Sequence, residues 1–297
     1  MQPSWQGVYP AVTTKFTAEG AIDAEAFIKG IRAQINAGVH GIIVGGSLGE
    51  SSTLTHEERI ELLHLAKSAA EKIPVLVNVA EGATSSAISL INHAQHNGAD
   101  GLMVLPPMMY KPTEAETVEY FSTIAQNTDL PIMIYNNPVD YKVEVTIPML
   151  EQLLKHDNVQ SIKESTRDVS NVTRIRTAFG NRLKILCGVD TIAMEELLMG
   201  ADGWVAGLVN AFPEETVAIY NLVKAGNIEK AKKIYSWFMP LLELDINPQL
   251  VQNIKLAEMM VGLGTEHVRS PRKPLEGKER ERVMGIVKRA LEVRPKF

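Results

Sequence analysis

Residues 98–105, Gly-Ala-Asp-Gly-Leu-Met-Val-Leu, decide the fold, because their pattern occurs three times in the chain. The first copy, Gly-Val-His-Gly-Ile-Ile-Val, occupies 38–44, and the third, Gly-Ala-Asp-Gly-Trp-Val-Ala, occupies 200–206. In each copy a glycine ends a helix, a tight connection follows, and an almost continuous apolar run begins. Such runs are typical of parallel strands that are buried on both faces. The repeat therefore predicts helices that alternate with buried strands.

Further apolar runs extend this pattern, and they lie at 7–14, 75–79, 131–135, 159–163 and 184–187. Helical patterns follow the strands, at 23–37, 55–71, 84–97, 114–127, 146–155, 168–179, 190–199 and 214–225. Asp23 is expected to cap the first helix, and Thr55 with Glu58 forms a capping box at the second. Eight strand–helix units in a row predict an α/β fold, a (β/α)8 barrel. A doubly wound sheet is the competing fold, but it rarely needs eight units.

The barrel is predicted to occupy residues 1–225 as the catalytic domain. Residues 226–297 are predicted to form a helical region that packs on the barrel. Its helical patterns lie at 227–243, 249–262 and 278–292. The sequence has no Gly/Ser-rich linker between the two parts, so we expect them to be in contact.

The composition is typical of a globular protein, with 297 residues, a net charge of −5, 45% hydrophobic and 22% charged residues. Mild acidity offers no attraction to nucleic acid or to an anionic membrane, so neither is an expected partner. The single cysteine, Cys187, cannot form an internal disulfide, and the N-terminus lacks the basic and apolar regions of a signal peptide. We therefore expect a cytoplasmic protein.

Motifs for metals and nucleotides do not match this sequence. Residues 56–59, His-Glu-Glu-Arg, lack the second histidine of the zinc motif. Residues 262–264, Gly-Leu-Gly, lack the third glycine and the preceding strand of a dinucleotide fingerprint. A Gly-x-Ser-x-Gly elbow is also missing from the sequence. We therefore expect neither a metal nor a cofactor.

Two reactive side chains stand at the ends of neighbouring predicted strands. Tyr135 ends one strand and Lys163 ends the next, so the two residues should emerge about 5 Å apart. A lysine amine beside a phenol can form an imine with a carbonyl compound, and burial lowers a lysine pKa in the required direction. Tyr135 could then move a proton to and from the carbinolamine oxygen. The alternative is that Lys163 is an ordinary solvated loop residue.

Other candidate residues stand at the remaining strand ends, where a barrel of this kind has its active site. The loop 45–52 contains three glycines around Ser47, and its backbone N–H groups could hold a carboxylate. A glycine turn that only packs the barrel mouth is the alternative for this loop. Gly188 and Gly207 would leave room for substrate. Asp190 would bind a hydroxyl or ammonium group, or would simply cap the next helix.

Three ordered motifs identify a resemblance that covers essentially the whole chain. Gly46-Ser47-Leu48-Gly49-Glu50, Tyr-Asn-Asn-Pro at 135–138 and Ile-Lys-Glu at 162–164 resemble motifs of the dihydrodipicolinate synthase / N-acetylneuraminate lyase superfamily. The resemblance implies a barrel with a helical tail, usually a homotetramer built as a dimer of dimers. It also implies class I chemistry with Lys163 as the Schiff-base lysine and Tyr135 as the proton relay. Gly46, Ser47, Leu48 and Gly49 would hold the carboxylate of a 2-oxo acid.

Three departures from the dihydrodipicolinate synthase pattern concern the substrate. Leu48 stands where a second hydroxyl residue is usual, and Met109 is aligned with a tyrosine that reaches the neighbouring subunit, with Tyr110 one position along. Asp140 replaces the arginine that binds the carboxylate of the aldehyde substrate, and an acidic residue there would repel that carboxylate. Lys142 or Arg167 could supply a cation instead.

The phrases Leu-Pro-Pro-Met at 105–108, Tyr-Asn-Asn-Pro-Val at 135–139 and the run 203–213 resemble a branch that includes deaminases of 1-pyrroline-4-hydroxy-2-carboxylate. That substrate is a cyclic imine with one carboxylate, so it needs no second cation. The resemblance leaves two other reactions open, namely 4-hydroxy-tetrahydrodipicolinate synthesis and the aldol cleavage or dehydration of a 2-oxo-3-deoxy sugar acid. A non-catalytic sugar-acid sensor with the same fold is an alternative of another class.

Overall fold

In the computed structural model, which describes residues 1–70 and 72–296, eight parallel strands form a nearly closed barrel. The strands are β1 (Gly7–Pro10), β2 (Ile42–Val44), β3 (Val75–Val79), β4 (Gly101–Val104), β5 (Ile132–Asn136), β6 (Val159–Glu164), β7 (Lys184–Cys187) and β8 (Gly203–Ala206). Their order is β1-β8-β7-β6-β5-β4-β3-β2. Ala11 bridges to Ile43 between β1 and β2, and the Val12 N–H donates to the Ile43 carbonyl at 3.0 Å. The predicted (β/α)8 fold is confirmed.

Helices surround this barrel in the order that the sequence predicts. They are α1 (Ala24–Asn36), α2 (His56–Ala69), α3 (Thr84–His96), α4 (Glu114–Gln126), α5 (Pro138–Tyr141), α6 (Ile147–Leu153), α7 (Ser170–Phe179), α8 (Ala193–Leu198) and α9 (Pro213–Lys224). The predicted caps are present, because Asp23 accepts from the Ala26 N–H at 2.9 Å and Thr55 forms the capping box with Glu58. Residue 71, the predicted end of the second helix, lies outside the described residues, and the short helix α5 was not predicted.

The strands themselves are buried, as their apolar sequences require. Every residue of β1, β2, β3, β4, β5 and β8 is buried. The first strand is shorter than the predicted 7–14, because the chain beyond Ala11 leaves the ladder. Thr13 there donates its hydroxyl to Glu258, and Thr14 donates its hydroxyl to the Gly49 carbonyl at 2.6 Å. This segment therefore joins the barrel mouth to the helical tail.

The tail consists of α10 (Ile228–Leu242), α11 (Leu250–Met260) and α12 (Gly277–Glu292), close to the predicted ranges. Two fully buried ion pairs attach α11 to the barrel. Lys15 Nζ lies 2.6 Å from Glu258 Oε1, and Lys255 Nζ lies 2.7 Å from Glu50 Oε1. Glu50 belongs to the loop that follows β2, so the tail is fixed directly to a loop at the carboxyl end of the barrel. Residue 297, the last of the predicted tail, lies outside the described part of the chain.

A membrane-spanning helix would need a long apolar segment. Among residues 1–70 and 72–296, the structure contains no helix that combines the necessary length and apolar composition.

Candidate active site

Lys163 and Tyr135 lie side by side at the carboxyl ends of β6 and β5. The two residues are direct partners in the parallel register, and Lys163 Nζ lies 4.0 Å from the centroid of the Tyr135 ring. Both residues are buried, each with a relative exposure of only 6%. The lysine is therefore an interior residue, and the alternative of a solvated loop lysine is wrong.

Burial sets the protonation of this pair. It lowers the pKa of Lys163, although Tyr141 and Asp245 oppose the effect. A larger fraction of neutral amine is then available near neutral pH than an exposed lysine would have. Burial also raises the pKa of Tyr135 to about 12. The phenol therefore keeps its proton and can donate it to an oxygen beside the lysine.

Gly188 provides the space in which the lysine side chain lies. A Cβ atom at this position would stand 2.1 Å from Ser165 Oγ, 2.6 Å from Lys163 Cε and 2.7 Å from Lys163 Cγ. These separations are far below van der Waals contact. Any larger residue at 188 would therefore displace the side chain of Lys163.

The loop after β2 faces the same cavity. Gly46, Ser47 and Leu48 line the cavity, and the Ser47 hydroxyl is hydrogen-bonded to the Tyr141 hydroxyl. The backbone N–H groups of Ser47 and Leu48 have no acceptor among the residues that the structure describes. Gly49 does not line the cavity, because it packs against the Val12 carbonyl, which would be 2.8 Å from an added Cβ. Two free N–H groups and two hydroxyls could hold one carboxylate here.

Asp140 and Arg167 lie at the rim of the cavity. Arg167 Nη2 is 3.7 Å from Asp140 Oδ1, and Asn137 Nδ2 donates to Asp140 Oδ2 at 2.8 Å. Arg167 has a φ of +63°, a left-handed conformation that is uncommon for a residue with a side chain. Lys142 does not line the cavity, and its amine donates to the Val139 carbonyl instead. Of the two cations considered from the sequence, only Arg167 reaches the cavity.

Asp190 is not a lining residue, and its predicted contact with substrate is wrong for this geometry. Its carboxylate accepts from Trp204 Nε1 at 2.9 Å, from the Leu208 N–H at 2.8 Å and from the Gly207 N–H. These bonds fix the turn after β8. The prediction that Asp190 caps the helix after it is also wrong, since its side chain makes no capping bond there. Three buried donors satisfy this carboxylate, which explains why it turns away from the cavity.

Asp245 is the main residue that the sequence reading missed. It lies between α10 and α11 and lines the cavity beside Gly207, where an added Cβ would be 2.5 Å from Asp245 Oδ1. Gly207 therefore lines the cavity as expected, and it also makes room for Asp245. The only signal in the sequence was an acid between Leu244 and Ile246. That signal is weak, because the sequence did not predict that the tail would lie at the mouth of the barrel.

The cavity is small and open at its rim. Its volume is about 90 Å³, which suits a small acid. Within residues 1–70 and 72–296, no group of three or more His, Cys, Asp and Glu side chains is arranged to hold a metal ion. The arrangement offers imine formation at Lys163, proton transfer by Tyr135 and anion binding at the Ser47 loop.

Comparisons with known proteins agree with this architecture. The model of the dihydrodipicolinate synthetase family matches residues 4–290. A protein named 4-hydroxy-tetrahydrodipicolinate synthase from Exiguobacterium sibiricum is 34% identical over 275 residues, 91% of this chain and 92% of that protein. The solved structure of the synthase of that name from Methylacidiphilum fumariolicum has a TM-score of 0.92 and 31% identity, covering 97% of this chain and 96% of the other.

A third relative is described as monomeric. The structure of a monomeric dihydrodipicolinate synthase variant has a TM-score of 0.90 and 26% identity, with coverage of 97% of this chain and 96% of the other. The family match spans nearly the whole chain, including the barrel and most of the tail. The chain is therefore a Schiff-base-forming class I lyase of the dihydrodipicolinate synthetase family.

Proposed function

We propose that this lyase acts on a 2-oxo acid or cyclic imine with a single carboxylate, and that its substrate is 1-pyrroline-4-hydroxy-2-carboxylate. The observation that carries the proposal is the ion pair at the rim. Arg167 is already paired with Asp140, so its charge is partly neutralised. Among the described lining residues, Lys163 and Arg167 are the only cations, so a second carboxylate would have to compete with Asp140 for Arg167. The Ser47 loop accounts for one carboxylate.

The proposed reaction uses the residues of the cavity in sequence. Neutral Lys163 attacks C2 of the ring imine, and the ring nitrogen leaves that carbon as an amine on C5. Tyr135 donates and accepts the protons of this exchange. The C3 proton then leaves and the 4-hydroxyl is expelled as water. A C5 proton is lost while C3 and C4 are protonated, which converts the C5 amine into an imine, and water then hydrolyses both this imine and the Lys163 imine. Ammonia and 2-oxoglutarate semialdehyde are released, and Lys163 is free again.

A second candidate is 4-hydroxy-tetrahydrodipicolinate synthesis, the activity in the names of similar proteins. One observation in the cavity favours it. Arg167 lines the cavity, and its guanidinium would be available to a second carboxylate if Asp140 moved aside. Aldol cleavage or dehydration of a 2-oxo-3-deoxy sugar acid uses the same lysine. A non-catalytic sugar-acid sensor is disfavoured by the presence of Ser47, Tyr135 and Lys163, since binding alone needs no nucleophile.

The experiment that separates these candidates compares two assays on one enzyme preparation. Ammonia release from 1-pyrroline-4-hydroxy-2-carboxylate is measured beside the condensation of pyruvate with aspartate semialdehyde. We expect efficient ammonia release and poor condensation. Efficient condensation in one assay, together with no ammonia release from the pyrroline in the other, would refute the deaminase proposal and favour the synthase.

Arg167→Ala sharpens this comparison. A synthase that binds a second carboxylate through Arg167 would lose about 1.5–3 kcal/mol, which is a ten- to hundredfold loss in kcat/KM for the semialdehyde. If the enzyme is the proposed deaminase, its kcat/KM for the pyrroline should change by less than about threefold, because Arg167 contributes little more than a surface ion pair. Arg174→Ala is the matched control, since Arg174 pairs with the exposed Asp168 outside the cavity.

The assembly is a separate proposal. We propose a homotetramer, in which the loop after β4 contacts a neighbouring copy. Met109 and Tyr110 of this loop are 82% and 55% exposed in the single chain, so two adjacent large side chains are available to pack against another copy. Analytical ultracentrifugation should give a tetramer that Met109→Asp weakens. A stable monomer at micromolar concentration would contradict this proposal.

A further inference from the structure

Asp245 is a carboxyl group in the cavity that the reaction scheme above does not use. It comes from the tail, in the segment between α10 and α11, and it packs on the α-carbon of Gly207. Its side-chain oxygens accept no hydrogen bond from any described residue. Asp190, by contrast, is held by three donors. A carboxyl group without a protein partner that lines the cavity of Lys163 is placed to contact the substrate.

We propose that Asp245 is the catalytic acid that protonates the departing hydroxyl of the Lys163-bound substrate. This inference rests on the proposed function, because it assigns an acid to the elimination step of that reaction. Tyr135 stands over the lysine nitrogen and serves the carbinolamine. The elimination needs a second acid elsewhere in the cavity, and among the described lining residues Asp245 is the carboxyl group that is neither satisfied by protein donors nor paired with a cation.

The step balances within the site. After the C3 proton has left, Lys163 carries a neutral enamine. The nitrogen lone pair forms the N=C2 bond, the C2=C3 pair moves to form C3=C4, and the C4–O bond breaks. The carboxylic acid of Asp245 gives its proton to the departing oxygen, which leaves as water, and the Asp245 carboxylate remains beside an iminium cation. Water at the open rim can return the proton during hydrolysis of the product.

The charges around Asp245 support the acid form. Burial raises its pKa well above the usual range, and Asp190 and Asp140 act in the same direction. Lys163 and Arg167 oppose this rise, and the neighbouring phenol of Tyr135 is uncharged. Formation of the neutral enamine removes the cation at Lys163 just before the proton is needed. The acid is therefore present below its raised pKa, and elimination should slow as the pH rises through that pKa.

The test uses the full-length enzyme with three readouts. These are ammonia release from the pyrroline, borohydride trapping of pyruvate on Lys163, and exchange of the pyruvate methyl protons in D2O. Asp245→Asn should lower the turnover number for ammonia release by about 10²–10⁴-fold. The same substitution should leave the rates of borohydride trapping and of methyl-proton exchange within about threefold of the wild-type rates. The decline of wild-type turnover at high pH should be missing in the variant.

A rescue experiment and a matched control complete the test. Asp245→Ala leaves a space, and formate added in acidic buffer, where part of it carries a proton, should restore part of the ammonia release. Glu243→Gln removes an exposed carboxylate two residues away and should behave as wild type. Unchanged turnover in Asp245→Asn would overturn the inference. So would an equal loss of trapping, exchange and turnover, since Asp245 would then only position Lys163.

Failure of the proposed function gives a different result. A wild-type enzyme that forms no adduct on Lys163 would refute the Schiff base, and with it the Lys163-bound substrate on which Asp245 is proposed to act. A wild-type enzyme that forms the adduct and exchanges protons, yet releases no ammonia, would overturn the elimination and the role of Asp245 together. The Schiff base would survive that outcome.

Discussion

Gly188→Ala should disable imine formation without unfolding the protein. The added methyl group would lie 2.6 Å from Lys163 Cε, so that atom must move by about 0.8 Å to reach ordinary contact at 3.4 Å. A misplacement of about 1 Å at a reacting group costs on the order of 10²-fold in rate. We therefore expect about a hundredfold slower borohydride-trapped adduct formation with pyruvate. Gly188 does not have a positive φ, so the loss is steric and carries no backbone strain.

The comparison variant for this prediction is Gly46→Ala. It adds the same methyl group to the same cavity, but the nearest atom is Met103 Cε at 3.8 Å. It should therefore lose much less of the trapping rate than Gly188→Ala. Circular dichroism should show a native fold for both variants. Trapping by Gly188→Ala at the wild-type rate would refute the reasoning, because Lys163 would then tolerate displacement.

Three further predictions concern the lysine, the anion loop and the tail. Burial lowers the pKa of Lys163, so the rate of borohydride trapping should rise with pH and reach half its maximum at a pH below the ordinary lysine pKa of about 10.4. A half-maximal rate at that ordinary pKa would contradict this prediction. Ser47→Ala removes the hydroxyl that is hydrogen-bonded to Tyr141. The affinity for pyruvate, measured by calorimetry, should fall about ten- to hundredfold. An unchanged affinity would mean that the pyruvate carboxylate binds elsewhere. Lys255→Met removes the buried cation that lies 2.7 Å from Glu50 and leaves that carboxylate with Arg272 at 3.8 Å. The free energy of unfolding in urea should fall by about 3 kcal/mol, and a loss below about 1 kcal/mol would show that the pair with Lys255 is dispensable.

The barrel could be predicted from the sequence because its signals are local. Each strand is a short apolar run, and α1 and α2 begin with side-chain caps, so these local signals together with the repeated glycine phrase placed the elements in order. The same locality explains the pairing of Tyr135 with Lys163, since neighbouring parallel strands put their last residues side by side. The first strand was predicted four residues too long, because apolar and threonine residues continue past the point where the ladder ends.

The remaining parts of the site depend on contacts between distant segments. Asp245 enters the cavity only because the tail packs on the barrel mouth, held by the buried pairs of Lys15 with Glu258 and Lys255 with Glu50. Arg167 lines the cavity with a backbone of positive φ, a conformation that its residue type does not indicate. Asp190 was misread for the converse reason, because its three donors lie in β8 and in the turn that follows it. Such long-range satisfaction of polar groups has no periodic signature in a sequence.

The central claim is that Lys163 forms the Schiff base, and borohydride reduction in the presence of pyruvate tests it most directly. Peptide mapping by mass spectrometry identifies the modified lysine. We predict one adduct for each chain, located on Lys163, and no adduct in Lys163→Ala. An adduct on another lysine, or full activity in Lys163→Ala, would contradict it.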